Sequence, residues 1–219
     1  MIQRLVNIFG SLSKALEIVY LMSDIKPVVR QGFYSDELRK VKDFCEVNNL
    51  ACEVSSYKVV LVDDGNYSNK GIKVKLDDER RGMVFVYISK NEDKAVLANC
   101  YEMKINHAQL GYMLGYPQCC VEFFCKHEPM RSKYDNDYVF PALENSEGNK
   151  FPFYNNILLR DKDVTLLNHF PCSFNCHTSA ELGKQHLIAL KKINPALGDE
   201  FLNQLKGYQK LYRRILKFV

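Results

Sequence analysis

Residues 54–62, VSSYKVVLV, are rich in β-branched side chains and predict a β-strand. Asp63-Asp64-Gly65-Asn66 predicts a turn, and IKVKL at residues 72–76 alternates apolar and charged residues as a half-buried strand does. MVFVYI at residues 83–88 is continuously apolar, which is typical of a central strand. These short strands follow one another closely, and we therefore expect a small antiparallel sheet.

Two amphipathic helices precede this sheet. Apolar residues between Gln3 and Ser23 recur at steps of three and four, which predicts one helix with a buried face. A link through Pro27 and Gly32 follows, and Ser35-Asp36-Glu37-Leu38 then has the composition of a second helix start. Helices and strands together predict an α+β module over residues 1–90.

The remainder of the chain, residues 91–219, is predicted to be a mostly helical domain that contains the cysteines of interest. Its polar stretch at residues 128–152 predicts a loop or lid, and residues 155–167 have a weak helical pattern. Further helices are predicted at residues 92–103 and 107–114, and two more over residues 178–218 with a break at Asn194-Pro195. The fold class is therefore expected to be α+β.

Composition narrows the location and the class of the protein. The net charge of +4 is small, the first residues lack an uninterrupted signal-peptide core, and no apolar run is long enough for a membrane span. We expect a cytoplasmic protein without a membrane partner. In a reducing compartment, eight cysteines are more readily ligands, nucleophiles or core residues than disulfides.

Two short segments each combine a proline with cysteines at the start of a predicted helix. In Gly115-Tyr116-Pro117-Gln118-Cys119-Cys120, Pro117 is suited to opening a helix, which places both thiols in the first turn. In His169-Phe170-Pro171-Cys172-Ser173-Phe174-Asn175-Cys176, the cysteines precede Thr178-Ser179-Ala180-Glu181, which has the capping-box pattern of a helix that begins at Thr178. The positive end of a helix dipole favours the thiolate, the form of cysteine that binds metals.

We therefore predict that Cys119, Cys120, Cys172 and Cys176 are brought together to bind a metal. Adjacent cysteines diverge by about 100° on a regular helix, which favours an iron–sulfur cluster slightly over zinc. The possible additional ligands are His169, His177 and Cys125, whereas Cys45, Cys52 and Cys100 are expected to be core residues. Two alternatives stay open: a structural zinc module that binds RNA or protein, and a thiol redox or nucleophilic enzyme.

These two segments resemble an uncharacterised, mainly archaeal domain family. Two motifs characterise this family: a Gly-Tyr-Pro-x-Cys-Cys turn and, some fifty residues later, a His-x-Pro-Cys-x-x-x-Cys-x-x-Ser turn. Here the matching residues are Gly115, Tyr116, Pro117, Cys119 and Cys120, then His169, Pro171, Cys172, Cys176 and Ser179. The resemblance begins at about His107 and implies that the cysteines act together, but it implies no reaction.

The sequence offers few candidate residues for binding a substrate. It identifies no catalytic residue, so whether the protein is an enzyme stays open. Asn155, Asn156 and Arg160 lie between the predicted lid and the second cysteine turn and are suited to orienting an anionic or amide-bearing substrate. The C-terminal residues predict a basic amphipathic helix that could contact RNA phosphates. Its cations are Lys206, Lys210, Arg213, Arg214 and Lys217. P-loop, dinucleotide-binding and zinc-protease motifs are absent from the sequence.

Overall fold

The structure is a computed structural model that describes residues 1–62 and 71–219. The predicted turn at residues 63–66 lies outside the described residues. Helices and an antiparallel sheet confirm the α+β class. Contacts divide the chain into two compact units, one of residues 3–115 and one of residues 116–219 together with the first two residues.

The predicted first helix is two helices, α1 (Ile2–Phe9) and α2 (Leu12–Met22). Gly10 has a φ of +89°, a left-handed conformation that ends α1. Ser11 then caps α2, since its hydroxyl accepts a hydrogen bond from the Lys14 backbone N–H at 3.2 Å. Among the described residues, no single helix combines the length and apolarity needed to cross a membrane; α1 and α2 meet that test only as a pair, bent by 116°.

The sheet of the first unit has the order β1-β4-β2-β3, and every pairing is antiparallel. Its strands are β1 (Val29–Phe33), β2 (Ala51–Leu61), β3 (Gly71–Lys75) and β4 (Met83–Ser89), and helix α3 (Leu38–Val47) lies between β1 and β2 in the chain. β4 pairs with strands on both sides, as its apolar sequence predicts. β1 was not predicted, because Pro27 just before it and Gly32 within it are typical of a link.

Two further helices belong to the first unit: α4 (Glu92–Met103) and α5 (His107–Met113). α4 packs on β2 and β4 and is tied to β1 by an ion pair between Arg30 and Glu102. The division of contacts therefore falls after Gly115, whereas the predicted domain boundary lies after residue 90. Sequence patterning identifies α4 as a helix but contains nothing about the surface on which it packs.

The second unit contains four helices of its own: α6 (Gln118–His127), α7 (Val139–Glu144), α8 (His177–Ile193) and α9 (Pro195–Leu205). The stretch predicted as a loop or lid includes α7, a 3₁₀ turn at Glu128–Met130 and the short strand β5 (Lys150–Phe151). The weak helical pattern at residues 155–167 corresponds only to 3₁₀ turns at Phe153–Asn155 and Arg160–Lys162. A left-handed Asp163, with φ of +64°, ends the second of these turns.

The C-terminal residues form a β-hairpin, so the predicted basic helix is wrong. β6 (Gly207–Leu211) and β7 (Arg214–Phe218) are antiparallel, and β5 adds to β7 in parallel to give the order β5-β7-β6. Leu216 and Phe218 are buried while Ile215 and Lys217 are exposed, which is the two-residue period of a strand. Leu211, Ile215 and Leu216 fit a helical period as well, and Tyr212, with φ of +52°, makes the turn that a helix pattern does not anticipate.

Candidate metal centre

Cys119 and Cys120 lie in the first turn of α6, as predicted. Pro117 is the residue that caps this helix, and its carbonyl oxygen accepts hydrogen bonds from the backbone N–H groups of Cys120 at 2.9 Å and Val121 at 3.0 Å. Pro117 thus lies one residue before the first helical position, at which proline is favoured, and the two thiols lie in the first turn that follows it. Both sulfur atoms therefore lie at the positive end of a helix dipole.

Cys172 and Cys176 lie in the turn that leads into α8. The turn is closed by a hydrogen bond from the Cys176 N–H to the Ser173 carbonyl oxygen at 3.0 Å. Cys176 itself caps the helix, since its sulfur accepts a hydrogen bond from the Ser179 N–H at 3.5 Å. The predicted helix start at Thr178 is thus wrong by one residue, and a cysteine sulfur replaces the threonine hydroxyl as the cap.

The four sulfur atoms meet in one place: all of them lie within 4.8 Å of one another. Cys176 Sγ is 3.7 Å from both Cys119 Sγ and Cys120 Sγ, which are 3.9 Å apart. Cys120 and Cys176 are buried, Cys172 is half-buried and Cys119 is exposed. Four thiols in so small a volume could hold a metal ion.

Hydrogen bonding within the cluster shifts the pKa values of its thiols in opposite directions. Hydrogen bonds with Cys120 and Cys172 lower the pKa of Cys176 well below its ordinary value. Hydrogen bonds with Cys172 and Cys176, together with burial, raise the pKa of Cys120. For Cys172 the bond with Cys120 favours the thiolate, but the bond to Cys176 and burial outweigh it and raise the pKa to about 12.

A second layer of hydroxyl groups contacts the sulfurs. Thr178 Oγ1 is 3.2 Å from Cys119 Sγ and 3.3 Å from Cys176 Sγ. Ser179 Oγ is 3.1 Å from Cys120 Sγ and 2.9 Å from His169 Nε2. Sequence reasoning gave Thr178 only a helix-capping role and assigned the Ser179 hydroxyl none, although their positions just after Cys176 at a helix start would have suggested contact with the sulfurs. Such outer contacts orient metal ligands and tune their basicity.

Backbone contacts brace the second cysteine turn. The fully buried amide of Asn155 donates to the carbonyl oxygens of Phe174 at 3.1 Å and Cys176 at 2.9 Å. The side-chain amide of Asn145, the residue that follows α7, donates to the Cys172 carbonyl oxygen at 2.8 Å. Because these bonds hold the backbone on both sides of the turn, they restrict the positions of both sulfur atoms.

The possible additional ligands lie outside the four-sulfur cluster found among the described residues. His169 bonds the Ser179 hydroxyl, which contacts Cys120 Sγ, and stacks against Tyr116 with ring centroids 5.0 Å apart. His177 is the exposed first residue of α8, and Cys125 lies half-buried further along α6. Burial, followed by the charge of Glu128, raises the pKa of Cys125.

The predicted substrate-binding residues have structural contacts. Besides the bonds of Asn155, the buried Asn156 amide donates to the Leu205 carbonyl oxygen at 2.7 Å. Arg160 pairs with Asp137 at 2.7 Å and lies over the ring of Phe170 at 4.6 Å. These contacts explain the three residues as supports of the second unit, and their binding of a substrate stays a prediction.

Fold and site together define an α+β protein with a four-cysteine cluster formed at two turn–helix junctions. Residues 68–206 match the family described as "Protein of unknown function (DUF483)", and the chain belongs to this family. The match covers both cysteine segments and begins well before His107, so the family domain includes β4 and α4 of the first unit. Comparisons with curated proteins and with solved structures gave no match.

Proposed function

We propose that Cys119, Cys120, Cys172 and Cys176 bind one zinc ion in a closed tetrahedral site, and that this ion is structural. The single observation that supports the proposal is that four sulfur atoms from two distant segments lie within 4.8 Å of one another. The ion would join the start of α6 to the start of α8. Fifty or so residues, including α7 and β5, separate these junctions in the chain, so a link between them would stabilise the whole second unit.

The sulfur positions suit the dimensions of a zinc site. Zinc–sulfur bonds are about 2.3 Å long, so the sulfur atoms at the corners of a tetrahedron are about 3.8 Å apart. Three pairs of sulfurs have separations of 3.7, 3.7 and 3.9 Å. A small movement of Cys172 is all that such a tetrahedron requires.

This compact arrangement supports zinc over the iron–sulfur cluster that the sequence favoured. Adjacent cysteines diverge on a regular helix, which favours a cluster, yet the sulfurs of Cys119 and Cys120 are 3.9 Å apart. A cluster distributes its thiolates over two or more irons and therefore needs a wider set of sulfurs. A single ion with four sulfur ligands needs a set as narrow as the one observed.

The ligand set also supports a structural role over a catalytic one. Catalytic zinc sites have three protein ligands and an open position, whereas four cysteines fill every position. The alternative thiol enzyme needs a free cysteine, for which the exposed Cys119 is the best placed. Metal content and thiol reactivity distinguish these functions.

The test is elemental analysis and a UV–visible spectrum of protein purified without oxygen. We expect about one zinc per chain and no visible absorption. Cys172→Ser and Cys176→Ser should each lose the metal. Cys100→Ser should retain it as the matched control, because Cys100 is exposed on α4 and not in the core as the sequence predicted. Cys125→Ser should also retain the metal, since Cys125 lies outside the four-sulfur cluster.

Three results would contradict the proposal in different ways. Iron and sulfide with broad visible absorption would establish a cluster at the same cysteines. Full zinc occupancy in both serine variants would show that the ligands lie elsewhere. Metal-free protein with rapid alkylation of Cys119 near neutral pH would favour the thiol enzyme.

A further inference from the structure

The outer face of the sheet β5-β7-β6 carries exposed lysines and an exposed tyrosine. Residues directly opposite each other in a ladder project to the same face. Tyr208 is opposite Lys217, Lys210 is opposite Ile215, and Lys150 of β5 pairs with Lys217 from the other side. All five side chains are exposed, and we call this surface the outer sheet face.

The other side of the same sheet is committed to the core. Leu216 and Phe218 are buried there, and the ring of Phe218 lies 5.9 Å from Phe151 and 5.8 Å from Phe174. Since these rings hold β7 in register, the outer sheet face is presented on a packed support. The residues of this face therefore do not have to become ordered when a partner binds.

The charge on the outer sheet face has one sign. Residues 206–219 contain five lysines and arginines and no acidic residue. Within residues 1–62 and 71–219, none of these five cations forms an ion pair with a carboxylate. Their charge is thus available to a polyanion.

The hairpin distributes these cations differently from a helix. Lys210 and Lys217 lie on the outer sheet face, Arg213 lies in the turn, and Arg214 is opposite Leu211 on the other face. Lys206 precedes β6, with Nζ 5.1 Å from the ring centroid of Phe153. Of the five cations predicted to lie on one helix, only Lys210 and Lys217 therefore lie on the outer sheet face.

Exposed aromatic rings accompany the charges. Tyr208, on the edge strand β6, is 68% exposed on the outer sheet face, and the Lys217 ammonium lies 5.4 Å from its ring centroid. Tyr212, at the hairpin turn, is held edge-on by Phe140 at 5.3 Å. A tyrosine on a sheet with lysines beside it offers a stacking surface for one base and cations for the adjoining phosphates.

We propose that the outer sheet face binds single-stranded nucleic acid, with Tyr208 stacking on a base and Lys150, Lys210 and Lys217 contacting phosphates. The proposal goes beyond the metal centre and uses none of its residues. A duplex keeps its bases stacked and cannot use Tyr208, whereas a single strand offers an unstacked base for the ring and phosphates for the lysines. RNA and DNA share the two features recognised here, namely an unstacked base and a phosphate backbone.

The test is fluorescence anisotropy of the full chain with labelled oligouridylate and oligothymidylate of about ten nucleotides, enough to span the roughly 17 Å of a five-residue strand. Three phosphate contacts predict a slope of about −2 for log K against log salt concentration. Lys210→Gln with Lys217→Gln should reduce the magnitude of this slope by about 1.4. Tyr208→Ser should weaken binding about tenfold with the slope unchanged, and Tyr208→Phe should bind as the natural chain does.

The matched control is Lys184→Gln with Lys192→Gln, which removes the same charge from exposed positions of α8. Equal weakening by this control would overturn the proposal, because binding would then follow net charge alone. Absence of binding to both oligonucleotides at low salt would overturn it, as would stronger binding to a duplex or to phosphatidylserine vesicles. Metal content measured on the same samples keeps a failure of the zinc proposal separate from a failure of this one.

Discussion

Ser179 contacts the cysteine cluster through both its backbone and its side chain. It is fully buried, its N–H donates to Cys176 Sγ at 3.5 Å, and its hydroxyl lies 3.1 Å from Cys120 Sγ. The hydroxyl also meets His169 Nε2 at 2.9 Å. One residue therefore holds a sulfur from each cysteine segment in position.

Replacement of Ser179 by alanine tests this positioning role. Since outer contacts of metal ligands typically contribute 10- to 100-fold to affinity, we expect Ser179→Ala to weaken zinc binding by at least about tenfold. The measurement is competition with a chromophoric chelator. Ser173→Ala is the control in the same turn, because Ser173 bonds Cys176 through its backbone carbonyl oxygen.

Equal zinc affinities of the two variants would contradict the role given to Ser179. Urea denaturation of both zinc-loaded proteins separates a loss of positioning from a general loss of stability. A Ser179→Ala chain that is less stable only after metal removal would contradict the role as well.

At the scale of elements, the C-terminal hairpin is stabilised by alternation of its side chains. Leu216 is completely buried, and the adjacent Ile215 is 65% exposed. On the predicted helix both would lie on one apolar face, whereas on β7 they project to opposite sides of the sheet. A helix and a hairpin therefore predict different losses in the free energy of unfolding when Leu216 or Ile215 is replaced.

We expect Leu216→Ala to lower the free energy of unfolding by about 2–5 kcal/mol, because it removes buried methyl groups and leaves a cavity. Ile215→Ala should change it by no more than about 0.5 kcal/mol. Urea denaturation measures both values. Similar costs for the two variants would favour a helix and contradict the hairpin.

At the scale of the whole molecule, the ion pair between Arg30 and Glu102 explains why α4 belongs to the first unit. Arg30 Nε lies 2.5 Å from Glu102 Oε2, the same oxygen that accepts a hydrogen bond from the Tyr87 hydroxyl at 2.5 Å. Burial opposes ionisation of Glu102, but Arg30 and the tyrosine bonds outweigh it and lower the pKa of this carboxyl. Strand β1, strand β4 and helix α4 thus meet at one carboxylate.

Loss of this carboxylate should be visible in the pH dependence of stability. A glutamate has a pKa of about 4.3 in an unfolded chain, and the folded value is lower, so the stabilisation is complete above about pH 4.3 and is lost as the pH falls further. We expect Glu102→Gln to cost about 2 kcal/mol at pH 7 and to flatten the acid limb of the stability curve. Denaturation between pH 3 and 7 is the measurement.

Glu92→Gln is the control for this prediction, since Glu92 is an exposed residue in the first turn of the same helix. It removes the same charge without breaking the contact with Arg30. An acid limb that is unchanged in Glu102→Gln, or flattened equally in both variants, would contradict the role of the ion pair.

Much of the fold could be predicted because its signals are local. The alternation at residues 72–76 and the apolar run at residues 83–88 depend only on neighbouring residues, and β3 and β4 appear where they were predicted. The break at Gly10 and strand β1 were missed, because an apolar helical period continues across Gly10 and because Pro27 and Gly32 are typical of links. The hairpin was missed because its apolar residues fit the period of a helix as well as the two-residue period of a strand.

The sequence by itself determined the α+β class and two cysteine segments, each at a turn that leads into a helix, because these follow from short-range periodicity and from proline at helix starts. Only the tertiary structure decided that the four sulfurs lie within 4.8 Å of one another and that Ser179 and Thr178 contact them. It also decided that Lys210, Arg214 and Lys217 lie on strands. These outcomes depend on which face each element buries, and burial is a property of packing between segments distant in the chain.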